Sequence, residues 1–327
     1  MPEGDTIHRA AHTLSRAIGG KIVRRARSPL PALSKGAESL AGRLIEAVEA
    51  HGKHLLIRFD DGRALHSHMR MTGSWHIYRP GEAWQKPERA ARFVIETDDF
   101  VAVCFNAPVV DLVKTAPPLQ PQTPPQIQNL PDAATTSGIE TPSAQPKSPD
   151  RPPPIDVPLR RRMGRSLGHA ADLERLGPDL LKEGFDKAEA TRRLRARADT
   201  PIGEAVLDQS AIAGIGNIYK SETLFVCRVS PFAAVGSLPD ETLDQVIEKA
   251  RELMSQNLSP GPRTTRFRRG LGGPGRTSRY WVYKRSGDPC LVCGSTIRMR
   301  RQGLSARSTY FCPRCQGAPP TPGKAPK

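Results

Sequence analysis

Apolar residues recur at helical spacing near the start of the chain. Ile7, Ala10, Ala11, Leu14, Ala17 and Ile18 precede the breaker Gly19-Gly20. This predicts an amphipathic helix with Asp5 or Thr6 as its N-cap. The period then shortens to two. β-rich runs occupy 21–26, 44–50, 54–59, 64–68, 74–78, 92–97 and 100–105, with Asp60-Asp61-Gly62 and Asp98-Asp99 at hairpin tips. Short strands at this spacing predict an antiparallel β-sandwich flanked by the helix. From about 117 to 158, Pro, Gln, Thr and Ser replace the aliphatic periodicity. Such a composition buries too little surface to offset ordering entropy and reads as a disordered insert.

From Ala171 the pattern turns helical. Segments 186–198 and 239–258 are amphipathic, and 201–207 begins with proline at a permitted first-turn position. Between them, Gly214 and Gly216 break one helix and turn the chain into the next, expected over 218–226. Such a turn leaves Asn217 and free backbone N–H groups at a helix N-terminus, which suits a phosphate. A Gly-x-Gly turn can equally serve packing alone. The Arg/Gly-rich stretch 260–279 reads as a basic loop. The whole is an α+β multidomain chain: β-sandwich 1–116, Pro-rich insert 117–158, helical domain 159–262, basic connection 263–285, zinc ribbon 286–316 and tail 317–327.

Charge narrows the function. The 327 residues carry a formal net charge of +16, which points to a polyanionic partner, either nucleic acid or an anionic membrane surface. No apolar run approaches a membrane span and the N-terminus does not read as a signal peptide, so a cytoplasmic protein is expected. Four of six cysteines form two Cys-x-x-Cys pairs, Cys290/Cys293 and Cys312/Cys315, separated by eighteen residues. That spacing is a zinc ribbon's, and four thiolates close the shell of one structural Zn2+. Arg298, Arg300, Arg301 and Arg307 between the pairs suggest a hairpin aimed at phosphates. Cys104 and Cys227 are expected in the core. His8 and His12 share a helix face but lack the adjacent glutamate of a metalloprotease helix.

The terminus itself carries chemistry. Removal of Met1 would leave Pro2 as a secondary amine beside the carboxylate of Glu3. An α-amine has a reference pKa near ~8, so much of it is a neutral nucleophile without burial. A following helix dipole disfavours the cation further.

Four separated motifs stand in order: Pro2-Glu3-Gly4, His51-Gly52-Lys53-His54-Leu55-Leu56, the turn at 209–219 and the four-cysteine ribbon. Together they resemble the formamidopyrimidine-DNA glycosylase / endonuclease VIII family of base-excision repair enzymes, most closely its actinobacterial endonuclease VIII-type branch. The likeness spans nearly the whole chain except the Pro-rich insert and the last ten or so residues. It implies a helical domain with a helix–two-turn–helix and a bifunctional glycosylase/AP lyase. Pro2 would attack C1′, Glu3 would shuttle protons, and Lys53 would contact phosphate and assist proton transfer. Strand cleavage would follow by β- and δ-elimination. Asn217 and Arg307 would grip the DNA backbone. Met71 would wedge into the stack, with Arg70 and Thr72 beside it. The implied partner is damaged DNA, duplex or single-stranded, bound by a monomer at the bacterial nucleoid.

Two departures matter. Asp5-Thr6 stands where the family carries Pro-Glu, removing one carboxylate near the site. Phe105-Asn106-Ala107-Pro108-Val109-Val110 replaces the Asp-Pro-Arg-Arg-Phe element of the formamidopyrimidine branch. That loss points to oxidised pyrimidines. The alternatives are a formamidopyrimidine/8-oxoguanine glycosylase and a non-catalytic zinc-ribbon DNA-binding protein.

Overall fold

The computed structural model describes residues 2–114, 173–266 and 279–317. The Pro-rich segment 117–158, the middle of the basic loop and the tail beyond Gly317 lie outside the described residues. The chain forms two compact units that do not follow chain order: Met1–Arg16, Ala47–Ile57 and Arg175–Lys327 make one, and Ala17–Glu46 with Arg58–Glu174 the other.

The first helix, α1 (Gly4–Ile18), is one turn longer than its apolar pattern. Asp5 and Thr6 lie inside it rather than capping it. The carbonyl of Glu3 instead accepts the first N–H groups, from Thr6 at 2.9 Å and Ile7 at 3.2 Å. Asp5 is unavailable as a cap because its carboxylate is held by Arg263.

Eight strands follow: β1 (Arg25–Arg27), β2 (Ile45–His51), β3 (His54–Phe59), β4 (Arg63–His68), β5 (Ser74–Tyr78), β6 (Ala91–Glu96), β7 (Val101–Phe105) and β8 (Val109–Lys114). They form two four-stranded sheets in the orders β1-β6-β7-β5 and β2-β3-β4-β8. Alternation sends Val94, Val103, Phe105, Tyr78 and Ala91 into one apolar cluster. Cys104 is fully buried, as expected of a core thiol. Two elements escape the hydrophobic pattern. Helix α2 (Pro31–Glu38) starts on a proline and buries only Leu33 and Ala37, which is too sparse a face to read as periodic. Strand β8 pairs with β4 from Lys114–Arg63 to Val109–His68, yet its sequence VVDLVK lacks clean alternation.

The first unit is organised by helices. They are α3 (Lys187–Arg195), α4 (Ile202–Ala205), α5 (Asn217–Val226) and α6 (Asp240–Ser255). Asp186 caps α3 by accepting the Glu189 N–H at 2.9 Å. The apolar faces of α3 and α6 meet around α5, burying Leu194, Ile212, Tyr219, Val246, Ile247 and Met254. The hairpin β9 (Arg298–Gln302) and β10 (Arg307–Phe311) completes this unit. Its base is cored by Phe225, Val282, Ile297 and the buried cysteines.

Candidate active site and zinc ribbon

The turn into α5 is built around Glu3. Its carboxylate is fully buried. Oε2 accepts the N–H groups of Gly216 at 3.0 Å and Tyr219 at 3.2 Å, while Oε1 accepts that of Ile218 at 2.9 Å. A helix N-terminus offers unpaired donors and a partial positive charge, and here a carboxylate takes them. The free N–H groups expected to wait for a phosphate are therefore occupied, three of them, by the protein's own anion. Asn217, the first helical residue, stays partly exposed at this turn. Gly216 is required by contact, because a β-carbon there would lie 2.4 Å from Glu3 Cδ. Pro2 is itself buried directly before Glu3. The Gly4 N–H donates to the Gly214 carbonyl at 3.0 Å, pinning the terminus to the same turn.

Lys53 reaches that turn from the β2–β3 connection. Its Nζ donates to the Ile215 carbonyl, which also accepts from Gln209 Nε2 at 3.1 Å. Burial pushes the Lys53 amine down to about 8, against the attraction of Glu3 and with help from Arg307. What places Lys53 is Asp179, a residue the sequence motifs did not single out. Its buried carboxylate accepts the Gly52 N–H at 2.8 Å, the Leu181 N–H at 2.9 Å and His8 Nε2 at 2.8 Å. Burial acts to raise the Asp179 carboxyl, but the His8, Leu181 and Gly52 bonds outweigh it and hold it below the usual range. Gly52 has φ +58° and no room for a side chain, since a β-carbon would meet Ala213 Cβ at 2.8 Å. His8 thus serves a hydrogen bond, not a metal.

A second missed pair stands behind the terminus. Arg263 grips buried Asp5 through Nε at 2.7 Å and an NH2 at 2.5 Å, and also donates to Thr6 Oγ1 at 2.6 Å. Its guanidinium lies 5.4 Å from the Tyr219 ring centroid. The Asp5-Thr6 departure therefore supplies a clamp on α1. No sequence motif paired residues so far apart.

The ribbon brings Cys290, Cys293, Cys312 and Cys315 together with all four Sγ atoms within 4.8 Å of one another. The Cys290–Cys315 and Cys293–Cys312 sulfurs are 3.9 and 3.4 Å apart. A tetrahedron with Zn–S of ~2.3 Å has edges near ~3.8 Å, so the donor set fits zinc with no position left for water. The site is structural. Arg307 opens β10, exposed, opposite Gln302 of β9.

The loop 69–73 lies in the other unit and is ordered by its backbone. Gly73 N–H donates to the Met69 carbonyl at 2.8 Å, and Thr72 Oγ1 to the Asn106 carbonyl at 3.0 Å. Arg70 has φ +44° and its N–H meets His68 Nδ1 at 3.1 Å. This leaves Met71 65% exposed, so it is not a core methionine. Thr72 is tied into the loop itself.

Comparison with known proteins matches these parts in order. The formamidopyrimidine-DNA glycosylase N-terminal domain model matches residues 1–108, the glycosylase H2TH domain model 176–269, and the zinc finger found in FPG and IleRS 287–317. A probable endonuclease 8 2 of Streptomyces coelicolor is 35% identical, covering 99% of this chain and 97% of that protein. The formamidopyrimidine-DNA glycosylase of Methylococcus capsulatus is 31% identical over 97% of this chain and 98% of its own length. The crystal structure of the MutM (Fpg) protein of Thermus thermophilus has a TM-score of 0.66 at 26% identity, covering 98% of this chain and all of that one. With a glycosylase-type sandwich, helix–two-turn–helix and four-cysteine finger in a single chain, this protein belongs to the formamidopyrimidine-DNA glycosylase / endonuclease VIII family.

Proposed function

We propose that the protein is a DNA glycosylase and AP lyase of base-excision repair that acts through Pro2. The observation that carries this reading is the seating of Glu3 on the N–H groups of Gly216, Ile218 and Tyr219, with Lys53 anchored one residue away at Ile215. A secondary amine, a fixed carboxylate and a lysine with a lowered pKa converge on one turn, and a purely DNA-binding protein has no use for that set.

Once Met1 is cleaved, the Pro2 nitrogen attacks C1′ of the damaged nucleotide and the base leaves. The iminium that forms acidifies the 2′ protons. Glu3 exchanges protons with the opening sugar and the departing oxygens, its three N–H bonds keeping it in place. Lys53 holds a phosphate and relays a proton, being charged below about pH 8. β- and δ-elimination then cut the strand. Asn217 and Arg307 grip the backbone beside the lesion, and Met71, with Arg70 and Thr72 around it, fills the gap left by the extruded base. The surplus of cationic side chains supplies salt-dependent affinity for DNA. The missing arginine–phenylalanine element after Phe105 favours oxidised pyrimidines over oxidised purines. We place the enzyme in the bacterial cytoplasm, at the nucleoid, acting as a monomer.

Borohydride trapping tests this on oligonucleotides carrying thymine glycol, 8-oxoguanine opposite cytosine, or an abasic site. An adduct on the N-terminal peptide, weakened in Pro2→Gly, is expected, strongest on the abasic site and stronger on thymine glycol than on 8-oxoguanine. The reverse order of the two bases would move the enzyme to the purine-directed branch. Absence of any adduct from Met1-processed protein that binds DNA would refute the catalytic reading.

A further inference from the structure

Helix α5 carries a buried lysine that the proposed chemistry does not use. Lys220 is 1% exposed and, among the described residues, its amine has no carboxylate at hydrogen-bonding distance. Its Nζ donates instead to the Ser308 carbonyl at 3.0 Å and to Thr309 Oγ1 at 2.7 Å, both on β10. Thr309 Oγ1, having accepted that bond, donates onward to Gln302 Oε1 at 2.6 Å. Gln302 Nε2 then donates to the Pro231 carbonyl at 2.9 Å. The relay has a single direction, which fixes the Gln302 amide as well as the threonine hydroxyl.

A buried cation hydrogen-bonded to no carboxylate is a costly way to join a helix to a hairpin, and an apolar side chain of the same length would do so with less desolvation. Burial pushes the Lys220 amine down to about 8, with Glu3 opposing, Arg307 adding to the shift and Glu204 opposing more weakly. Lys220 therefore sits in the field of two proposed site residues. The register of the hairpin gives the relay its purpose. Arg307 is paired across the ladder with Gln302 and is followed in the chain by Ser308. The cross-strand partner of Arg307 and the residue that follows it are thus fastened to α5 or to the segment just after it, while Gly303–Ala306 at the tip stays exposed. The first turn of that same helix holds Glu3.

We propose that the buried relay Lys220–Thr309–Gln302 is a positioning device that fixes Arg307 relative to the helix end on which Glu3 is seated. It rests on the reading of Arg307 as a DNA-backbone contact. Lys220 is a positioning residue and touches no substrate.

The test uses the full-length, zinc-loaded protein with Lys220→Met, Thr309→Val, Arg307→Ala and the Lys220→Met/Arg307→Ala double variant. Without DNA, amide exchange in 307–311 should quicken at least ~10-fold in Lys220→Met, with α6 unchanged. On a duplex carrying a tetrahydrofuran abasic analogue, Arg307→Ala should weaken binding about tenfold and flatten the log–log salt slope by about one. Lys220→Met should reproduce both effects, and the double variant should bind no worse than Arg307→Ala. Where Lys220→Met loses zinc, Thr309→Val carries the same expectation with the lysine intact. Unchanged exchange, an unchanged salt slope, or losses that add fully in the double variant would overturn the proposal. A wild-type protein that binds this duplex but leaves a true abasic site uncut would sink the lyase reading alone, because the double-variant comparison is read on binding.

Discussion

Gly216→Ala asks whether Glu3 is seated or merely close. A β-carbon at residue 216 would lie 2.4 Å from Glu3 Cδ and 2.6 Å from its Cγ and Oε1. This is about 1 Å inside the ~3.5 Å at which carbon atoms normally touch. The backbone is not at issue, since φ at Gly216 is −123° and any residue adopts it. Something must move. The glutamate cannot swing aside with its bonds intact, because all three donors belong to the turn that carries the new methyl. Nor can its backbone retreat, because the next residue is tied to Gly214 and a β-carbon at Gly4 would already meet Gly214 Cα at 3.0 Å. The carboxylate must leave.

A hydrogen bond to a charged group contributes a net ~1.5–3 kcal/mol. The three here share one carboxylate and do not add in full, so its displacement should cost about 2–4 kcal/mol. For a unit of this size that is a fall in Tm of about 5–10 °C. Thermal melting of the zinc-loaded protein and single-turnover trapping on abasic DNA measure the two consequences together. Gly216→Ala should trap as poorly as Glu3→Gln, whose amide presents donors to N–H groups. In a Glu3→Ala background the second alanine has space, so its additional cost should nearly vanish. A Gly216→Ala protein that melts within about 2 °C of wild type and traps at an unchanged rate would show that Glu3 does not occupy this seat.

Three more outcomes follow from the same geometry. With the Lys53 amine near 8, DNA affinity that depends on its charge should fall as pH rises through 8, and Lys53→Met should flatten that limb of the profile. The stability sign is opposite. The folded value lies below the unfolded ~10.4, so the unfolded chain binds more protons between pH 8 and 10, stability rises with pH there by up to about 3 kcal/mol, and Lys53→Met removes that share of the slope in urea titrations. Stripping zinc with a chelator should unfold the ribbon and abolish the Arg307 contribution to DNA affinity, while α3–α6 keep most of their helical circular dichroism because their main apolar cluster lies apart from the ribbon's, to which α5 lends Phe225. Asp5→Asn removes the carboxylate that buried Arg263 grips and should cost about 3–5 kcal/mol, whereas an Asp5→Ala/Arg263→Met double substitution should recover most of it in melting experiments.

The sequence made the parts of this protein legible and left their fastening obscure. Helix α1, most strands, the α5 turn and the ribbon announce themselves because period, glycine and cysteine spacing are local signals. Pro2, Glu3 and the four cysteines stand out for the same reason, whereas Lys53 stands out only through the family resemblance. Local signals are silent where a residue's meaning is set by a partner far along the chain. Asp179 meets Gly52 across 127 positions and Arg263 meets Asp5 across 258. The Asn217 turn looks in the sequence like either an open anion site or plain packing, because nothing local says that Glu3, 215 positions from Ile218, fills it.

That last difference changes how the turn works. An empty helix N-terminus would bind whatever phosphate arrived, with affinity set by salt. One already neutralised by a buried carboxylate repels a second anion at the same donors, so in the proposed function a phosphate is met by side chains around it, Asn217, Lys53 and Arg307. Those side chains are placed by bonds to the same few residues. Lys53 hangs from Ile215, Lys220 holds the Ser308 carbonyl next to Arg307, and Glu222 accepts from Trp281, Val282 and Tyr283 at 2.7 to 2.9 Å where the chain enters the ribbon. In the proposed arrangement helix α5 and the turn that leads into it form the common datum for the carboxylate and both cations. A substitution that tilts it should disturb proton transfer and DNA grip together, whereas one at Arg307 disturbs the grip alone.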